Sequence, residues 1–218
     1  MIEAVIFDMD GILIDSENAW QNTERGLFRE LGVELTDELL VQSRGLRTKE
    51  MVSYWCSRFN IDKPVEEIGH SYDSRMLETM EKEVPLMEGA TEALEFFRRK
   101  KLPLALASCS SMDHINVVIE KHRLKAYFDH VVSAGSGMPG KPHPEIYLHT
   151  ARLMHTDPTR CLAIEDSFFG VISALAARMK VIAMPDPHEA GQPRFQAAHA
   201  TVGSLREINE QLFEKLDR

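Results

Sequence analysis

Short apolar runs alternate with helical patterns through most of the chain, and this alternation limits the available folds more than any other feature. The runs are Pro103-Leu104-Ala105-Leu106-Ala107-Ser108, a stretch near Asp129 to Ala134, Cys161-Leu162-Ala163-Ile164-Glu165 and Lys180-Val181-Ile182-Ala183-Met184. Helical patterns cover Ala90 to Arg99, Met112 to Lys121, Pro144 to Met154 with proline in its first turn, and Phe169 to Ala177. Strands separated by helices pair in parallel through right-handed crossovers, which predicts an α/β fold with a Rossmann-like parallel sheet. A short apolar segment near Ala200 to Val202 precedes a final helix carrying Leu205, Ile208, Leu212 and Leu216, with Ser204 and Glu207 as its capping box. The N-terminal run Val5-Ile6-Phe7 is expected to join the same sheet.

A purely helical grammar interrupts this α/β grammar. Gly11 to Ser16 reads as a turn, with Ser16 placed to cap a helix that carries Trp20, Leu27, Phe28 and Leu31 and stops at Gly32. Helical signals follow over Thr36 to Val41, Thr48 to Phe59 and Ile68 to Met80, with Trp20, Phe28 and Trp55 as apolar centres. The break at Val84-Pro85-Leu86-Met87-Glu88-Gly89 ends the insert. The expected organisation is an α/β core of residues 1–15 and 88–218, with an all-helical insert at 16–87.

Composition narrows the partners. A formal net charge of -9 argues against nucleic acid and anionic membranes, both of which select accumulated Lys and Arg. Neither a signal-peptide pattern nor a long apolar run is present, so a cytoplasmic protein is expected. The 3 cysteines, Cys56, Cys109 and Cys161, form no CxxC pair and are expected to be free thiols. Nothing in the sequence demands an obligate interface, and a monomer is expected.

Chemistry concentrates where strands end. In an extended strand Asp8 and Asp10 share a face with Met9 turned away, so two carboxylates converge and require either a shared proton or a bound cation. Ser108, the loop bearing Lys141, and Glu165 with Asp166 also follow apolar strands. In an open parallel sheet these positions meet in the crevice beyond the carboxyl ends. Hard carboxylate oxygens suit Mg²⁺, and a hydroxyl with an ammonium suits phosphate. Each residue alone also has a structural reading as turn, cap or solvated charge; their combined spacing is the stronger signal. The literal GxGxxG at Gly135 to Gly140 is discounted as a dinucleotide site, because Pro139, Pro142 and Pro144 deny it the immediate helix. His143, between two prolines, reads as loop structure.

Taken together, Asp8-Met9-Asp10-Gly11, Ser108, Gly140-Lys141-Pro142-His143-Pro144 and Glu165-Asp166-Ser167 with Gly170 resemble the four motifs of the haloacid dehalogenase superfamily of phosphohydrolases. The helical insert resembles that family's small cap. The resemblance implies Asp8 as nucleophile, Asp10 as acid and base, and Mg²⁺ held by Asp8, the Asp10 carbonyl and Asp166. Ser108, Lys141 and the Cys109 backbone N–H would bind the phosphoryl group. Glu165 is a candidate further ligand or support, and Arg47 and Lys49, in Gly45-Leu46-Arg47-Thr48-Lys49-Glu50, are candidate substrate contacts. The implied activity is hydrolysis of small sugar phosphates of the hexose or hexitol 6-phosphate type. The alternatives are a β-phosphoglucomutase-like transfer, against which Trp20 stands where the mutases carry a histidine, and a non-catalytic phosphate-responsive sensor.

Overall fold

A computed structural model describes residues 1–43, 46–135 and 137–218. The strands are β1 (Ala4–Phe7), β2 (Leu104–Ser108), β3 (His130–Ser133), β4 (Cys161–Glu165), β5 (Lys180–Ala183) and β6 (Ala200–Thr201). They form one sheet in the order β3-β2-β1-β4-β5-β6, and every pairing is parallel. Among the helices, α1 (Glu17–Glu30), α2 (Asp37–Ser43), α3 (Thr48–Phe59) and α4 (Val65–Lys82) fall between β1 and β2. They are followed by α5 (Ala90–Arg99), α6 (Met112–Lys121), α7 (Glu145–Leu153), α8 (Phe168–Ala176) and α9 (Glu210–Asp217). No helix among the described residues is long and apolar enough to cross a membrane.

The near-continuous apolar runs of β1, β2 and β4 are explained by burial on both faces, as a parallel sheet covered by helices requires. On α5, Ala90, Ala93, Leu94 and Phe97 recur at helical spacing and are buried, and Phe97 meets Phe7 of β1 edge to face at 5.9 Å between ring centroids. The chain steps outward from β1 through β2 to β3, then returns to lay β4 on the other side of β1. That reversal opens a crevice beyond the carboxyl ends of β1 and β4. Phe7 is level with Leu106 and Ile164, and the Asp8 N–H donates to the Ile164 carbonyl at 3.0 Å, so Asp8 emerges beside Glu165.

The chain divides into two compact units, Met1–Asp15 with Pro85–Arg218, and Ser16–Val84. The first unit thus takes in Pro85, Leu86 and Met87, ahead of the boundary at 88 expected from the break in the helical pattern. Backbone pairing explains this: the Asp15 N–H donates to the Pro85 carbonyl at 3.0 Å and the Met87 N–H to the Leu13 carbonyl at 2.9 Å. Three local expectations are corrected. Ser16 stands at the start of α1 without a side-chain capping bond, because its backbone is already helical (φ -106°, ψ -9°) rather than extended. Pro144 precedes α7 rather than occupying its first turn. The single C-terminal helix is instead a 3-10 turn over Leu205–Glu207, closed by the Ser204/Glu207 box, and a separate α9. Asn209 restarts the helix there, its side chain accepting the Leu212 N–H at 3.1 Å.

The helical unit packs Leu27, Phe28, Met51, Val52, Trp55 and Tyr72 into its own core. Within it the buried Glu24 accepts from Trp55 Nε1 at 2.6 Å and from Ser43 Oγ at 2.7 Å, joining α1, α2 and α3. Burial raises the Glu24 pKa, while the Ser43 and Trp55 bonds oppose that rise. A carboxyl whose folded pKa lies above its unfolded value stabilises the fold below the ordinary value and loses that contribution as pH rises. Glu24→Gln keeps the acceptor without the charge. Its stability relative to the parent, measured by urea unfolding, should therefore improve as pH rises above the ordinary carboxyl value; a difference independent of pH would contradict this.

Candidate active site

The turn after β1 is built on one carbonyl. Met9 O accepts from the N–H groups of Ile12, Leu13 and Ile14 at 3.3, 2.8 and 3.2 Å, while the side chains of Met9, Ile12, Leu13 and Ile14 are fully buried. The apolar anchors hold the turn, and the two acids are left at the sheet's carboxyl edge. Gly11 at φ +70° completes it, and a Cβ there would collide with the Asp166 carboxylate. Glycine is the residue that lets Asp166 approach the β1 turn so closely.

Lys141 is buried at the centre. Its ammonium donates to Asp8 Oδ1 at 2.7 Å and to the Ala107 carbonyl at 3.4 Å, and it lies 2.5 Å from Glu165 Oε1. Burial would lower its pKa, but Asp8 and Glu165 outweigh that and hold it well above the ordinary lysine value. Burial pushes the Asp8 carboxyl up to about 7, against the lowering pull of Lys141. Glu165 is fully buried; Tyr147 donates its hydroxyl to Oε1, and Ser167 donates to Oε2 at 3.4 Å. A Cβ on Gly170 would strike this carboxylate.

Ser108 closes the crevice from β2, its Oγ accepting the Ser110 N–H at 3.0 Å. Ser110 Oγ donates to Asp10 Oδ2 at 2.8 Å. Cys109 packs behind: the Lys141 N–H donates to its Sγ at 3.5 Å, and burial raises the thiol's pKa. All three cysteines are free. His143 serves the loop, with its Nδ1 accepting the Glu145 N–H at 3.1 Å and its carbonyl accepting from Ser173 Oγ at 2.7 Å. In the helical unit, Arg47 Nε donates to Glu50 at 3.1 Å and Lys49 lies 3.2 Å from Glu66. Gly45 of that stretch and Ser136 of the Gly135 to Gly140 loop lie outside the described residues.

Ser110 and Tyr147 are members of the constellation that sequence reasoning passed over. Ser110 stands two residues after Ser108, a spacing that repeats Asp8 and Asp10, while Tyr147 is indistinguishable in sequence from an apolar-face aromatic of α7.

Carboxylate oxygens of Asp8, Glu165 and Asp166 all lie within 4.8 Å of one another, a group of hard oxygens from which a divalent cation can draw ligands. The residues fit such a group. Asp166 is drawn against the β1 turn at a glycine, and three carboxylates so close together outnumber the single ammonium of Lys141, which favours a further cation.

The model of the haloacid dehalogenase-like hydrolases matches residues 5–184. Hexitol phosphatase B of Escherichia coli (strain K12) is 36% identical over 209 residues, spanning 95% of this chain and 94% of the relative. A phosphorylated carbohydrates phosphatase of Thermotoga maritima is 32% identical, over 83% of this chain and 84% of its own. The crystal structure of CbbY from Rhodobacter sphaeroides in complex with phosphate superposes with a TM-score of 0.86 over 100% of both chains at 24% identity, which shows a shared fold.

A cation that binds only the folded protein raises its stability by mass action, by about 2.7 kcal/mol at roughly a hundredfold excess over Kd. Added Mg²⁺ should therefore raise the melting temperature of the parent protein in calorimetry, and Asp166→Asn should lose most of that rise. An undiminished rise in the variant would remove Asp166 from the cation site.

Proposed function

Because the chain belongs to the haloacid dehalogenase-like hydrolases, we propose that it is a Mg²⁺-dependent phosphatase of small sugar phosphates, of the hexose or hexitol 6-phosphate type. The observation that carries this reading is a buried carboxylate, Asp8, with an ammonium 2.7 Å away and a second acid two residues on, at the reversal point of a parallel sheet. Similarity to phosphatases of hexitols and phosphorylated carbohydrates supports the substrate class. Three unpaired cysteines suit the cytoplasm, where thiols stay reduced.

In the reaction, Lys141 and Ser108 bind the non-bridging phosphoryl oxygens. An Asp8 oxygen attacks phosphorus, and the bond to the sugar oxygen breaks with its electron pair on that oxygen, which takes a proton from Asp10. Water then attacks the aspartyl-phosphate, Asp10 recovers a proton from that water, and inorganic phosphate leaves with Asp8 restored. Bound through Asp8, the Asp10 carbonyl and Asp166, Mg²⁺ would neutralise phosphoryl charge, the dominant requirement in phosphoryl transfer. Glu165, both of whose oxygens have hydrogen-bond partners in the protein, supports Lys141 rather than the cation.

Purified protein with Mg²⁺ should release inorganic phosphate from hexitol or hexose 6-phosphates, and Asp8→Asn or excess chelator should abolish the release. Transfer of the phosphoryl group to another sugar position, without free phosphate, would instead establish a mutase. Asp10→Asn should lower kcat by roughly 10² to 10⁴-fold while leaving Mg²⁺ affinity near that of the parent. Parallel loss of both would refute the separate roles of the two acids.

A further inference from the structure

Ser108 and Ser133, at the ends of β2 and β3, hold the backbone of Ser110, and the Ser110 side chain reaches Asp10. The Ser110 N–H donates to Ser108 Oγ at 3.0 Å, its carbonyl accepts from Ser133 Oγ at 2.6 Å, and its hydroxyl donates to Asp10 Oδ2 at 2.8 Å. Ser133 ends β3 directly opposite Ser108 in the parallel register. Its Oγ also accepts the Gly135 N–H at 3.0 Å, and Gly135 packs so closely that an added Cβ would lie 2.9 Å from Ser111 Cα. The backbone under Ser110 is therefore clamped by both strands, and its hydroxyl is delivered to a defined point.

We propose that Ser110 is a positioning residue that aims the Asp10 carboxyl at the sugar oxygen leaving phosphorus, an inference that rests on the phosphatase reading above. Proton transfer needs heavy atoms within hydrogen-bond reach, and a carboxyl on a short turn has rotamers that point it elsewhere. A hydroxyl suits this task. It donates to a carboxylate and accepts from a carboxylic acid, so the contact persists whether or not Asp10 carries its proton; an ammonium or amide N–H can only donate, and so could not hold the oxygen that bears the acid's proton. The same residue's N–H occupies an acceptor site on Ser108 Oγ, which leaves the Ser108 proton to point at the phosphoryl group. Ser110 thereby links phosphate binding to proton delivery.

Leaving-group dependence tests the assignment. A hexitol 6-phosphate expels an alkoxide that needs a proton, whereas 4-nitrophenyl phosphate expels a stable phenolate that does not. The kcat/KM of each ester covers only the steps through release of its alcohol, and the ratio of the two values does not depend on how much of the sample is folded. In Ser110→Ala the hexitol-to-nitrophenyl ratio should fall roughly tenfold or more, and in Ser110→Thr, which keeps the hydroxyl, it should stay near that of the parent enzyme. An unchanged ratio in Ser110→Ala, or an equal fall in Ser110→Thr, would overturn the positioning role while phosphate release by the parent enzyme still upheld the phosphatase reading. No release from either ester by the parent enzyme would sink that reading, and the inference with it.

Discussion

Taking an ammonium out of water costs several kcal/mol unless its donors find matched acceptors, and the core meets that demand at Lys141 with two carboxylates and a main-chain carbonyl. The elements around it are arranged by the same demand. β1 contributes Asp8, β2 the Ala107 carbonyl, β4 Glu165, and α7 the Tyr147 hydroxyl that shares Glu165. Four elements distant in sequence are thus bound to one charge. Burial alone would disfavour the charged form of Asp8, and Lys141 is the group that opposes this.

Close approach is the second constraint. Side chains on neighbouring turns can crowd carboxylates together only where the backbone leaves room, and the core does so at Gly11 beneath Asp166 and at Gly170 above Glu165. Neither glycine carries chemistry. Each sets the distance at which a carboxylate stands from the rest, and so the size of the space left for a cation and a phosphoryl group. Ser108 of β2 and Ser133 of β3 do the corresponding work for Asp10 through Ser110, with main-chain bonds in place of glycine clearance.

Strand-ending polar residues were legible in the sequence because a buried parallel strand is an apolar run, and the first polar residue after it has to face the sheet's edge. Asp8, Asp10, Ser108, Glu165 and Asp166 could be found that way, and Lys141 through its glycine- and proline-rich loop. Tyr147 could not, because a hydroxyl at the end of a core aromatic leaves no trace in periodicity. The pairing of Leu13 to Asp15 with Pro85 to Met87 was hidden as well, since two short segments seventy residues apart in the chain, by rough count, announce no partner by composition. At the C-terminus the apolar spacing was real but ran through a cap residue, Asn209, that breaks it into a turn and a helix.

What the amino-acid sequence by itself determined is the alternation of strand and helix, the interruption by a helical unit, and the set of acids, hydroxyl and ammonium available for phosphate chemistry. These follow from local rules: side-chain period, chain reversal at turns, and the types of group that can hold a cation or an anion. Only the tertiary structure decided which acid bonds to which partner. It set Lys141 between Asp8 and Glu165, gave Ser110 to Asp10, and left Asp166 against the β1 turn. Those choices depend on strand order and register, which bring together residues a hundred or more positions apart, and no local pattern carries that information.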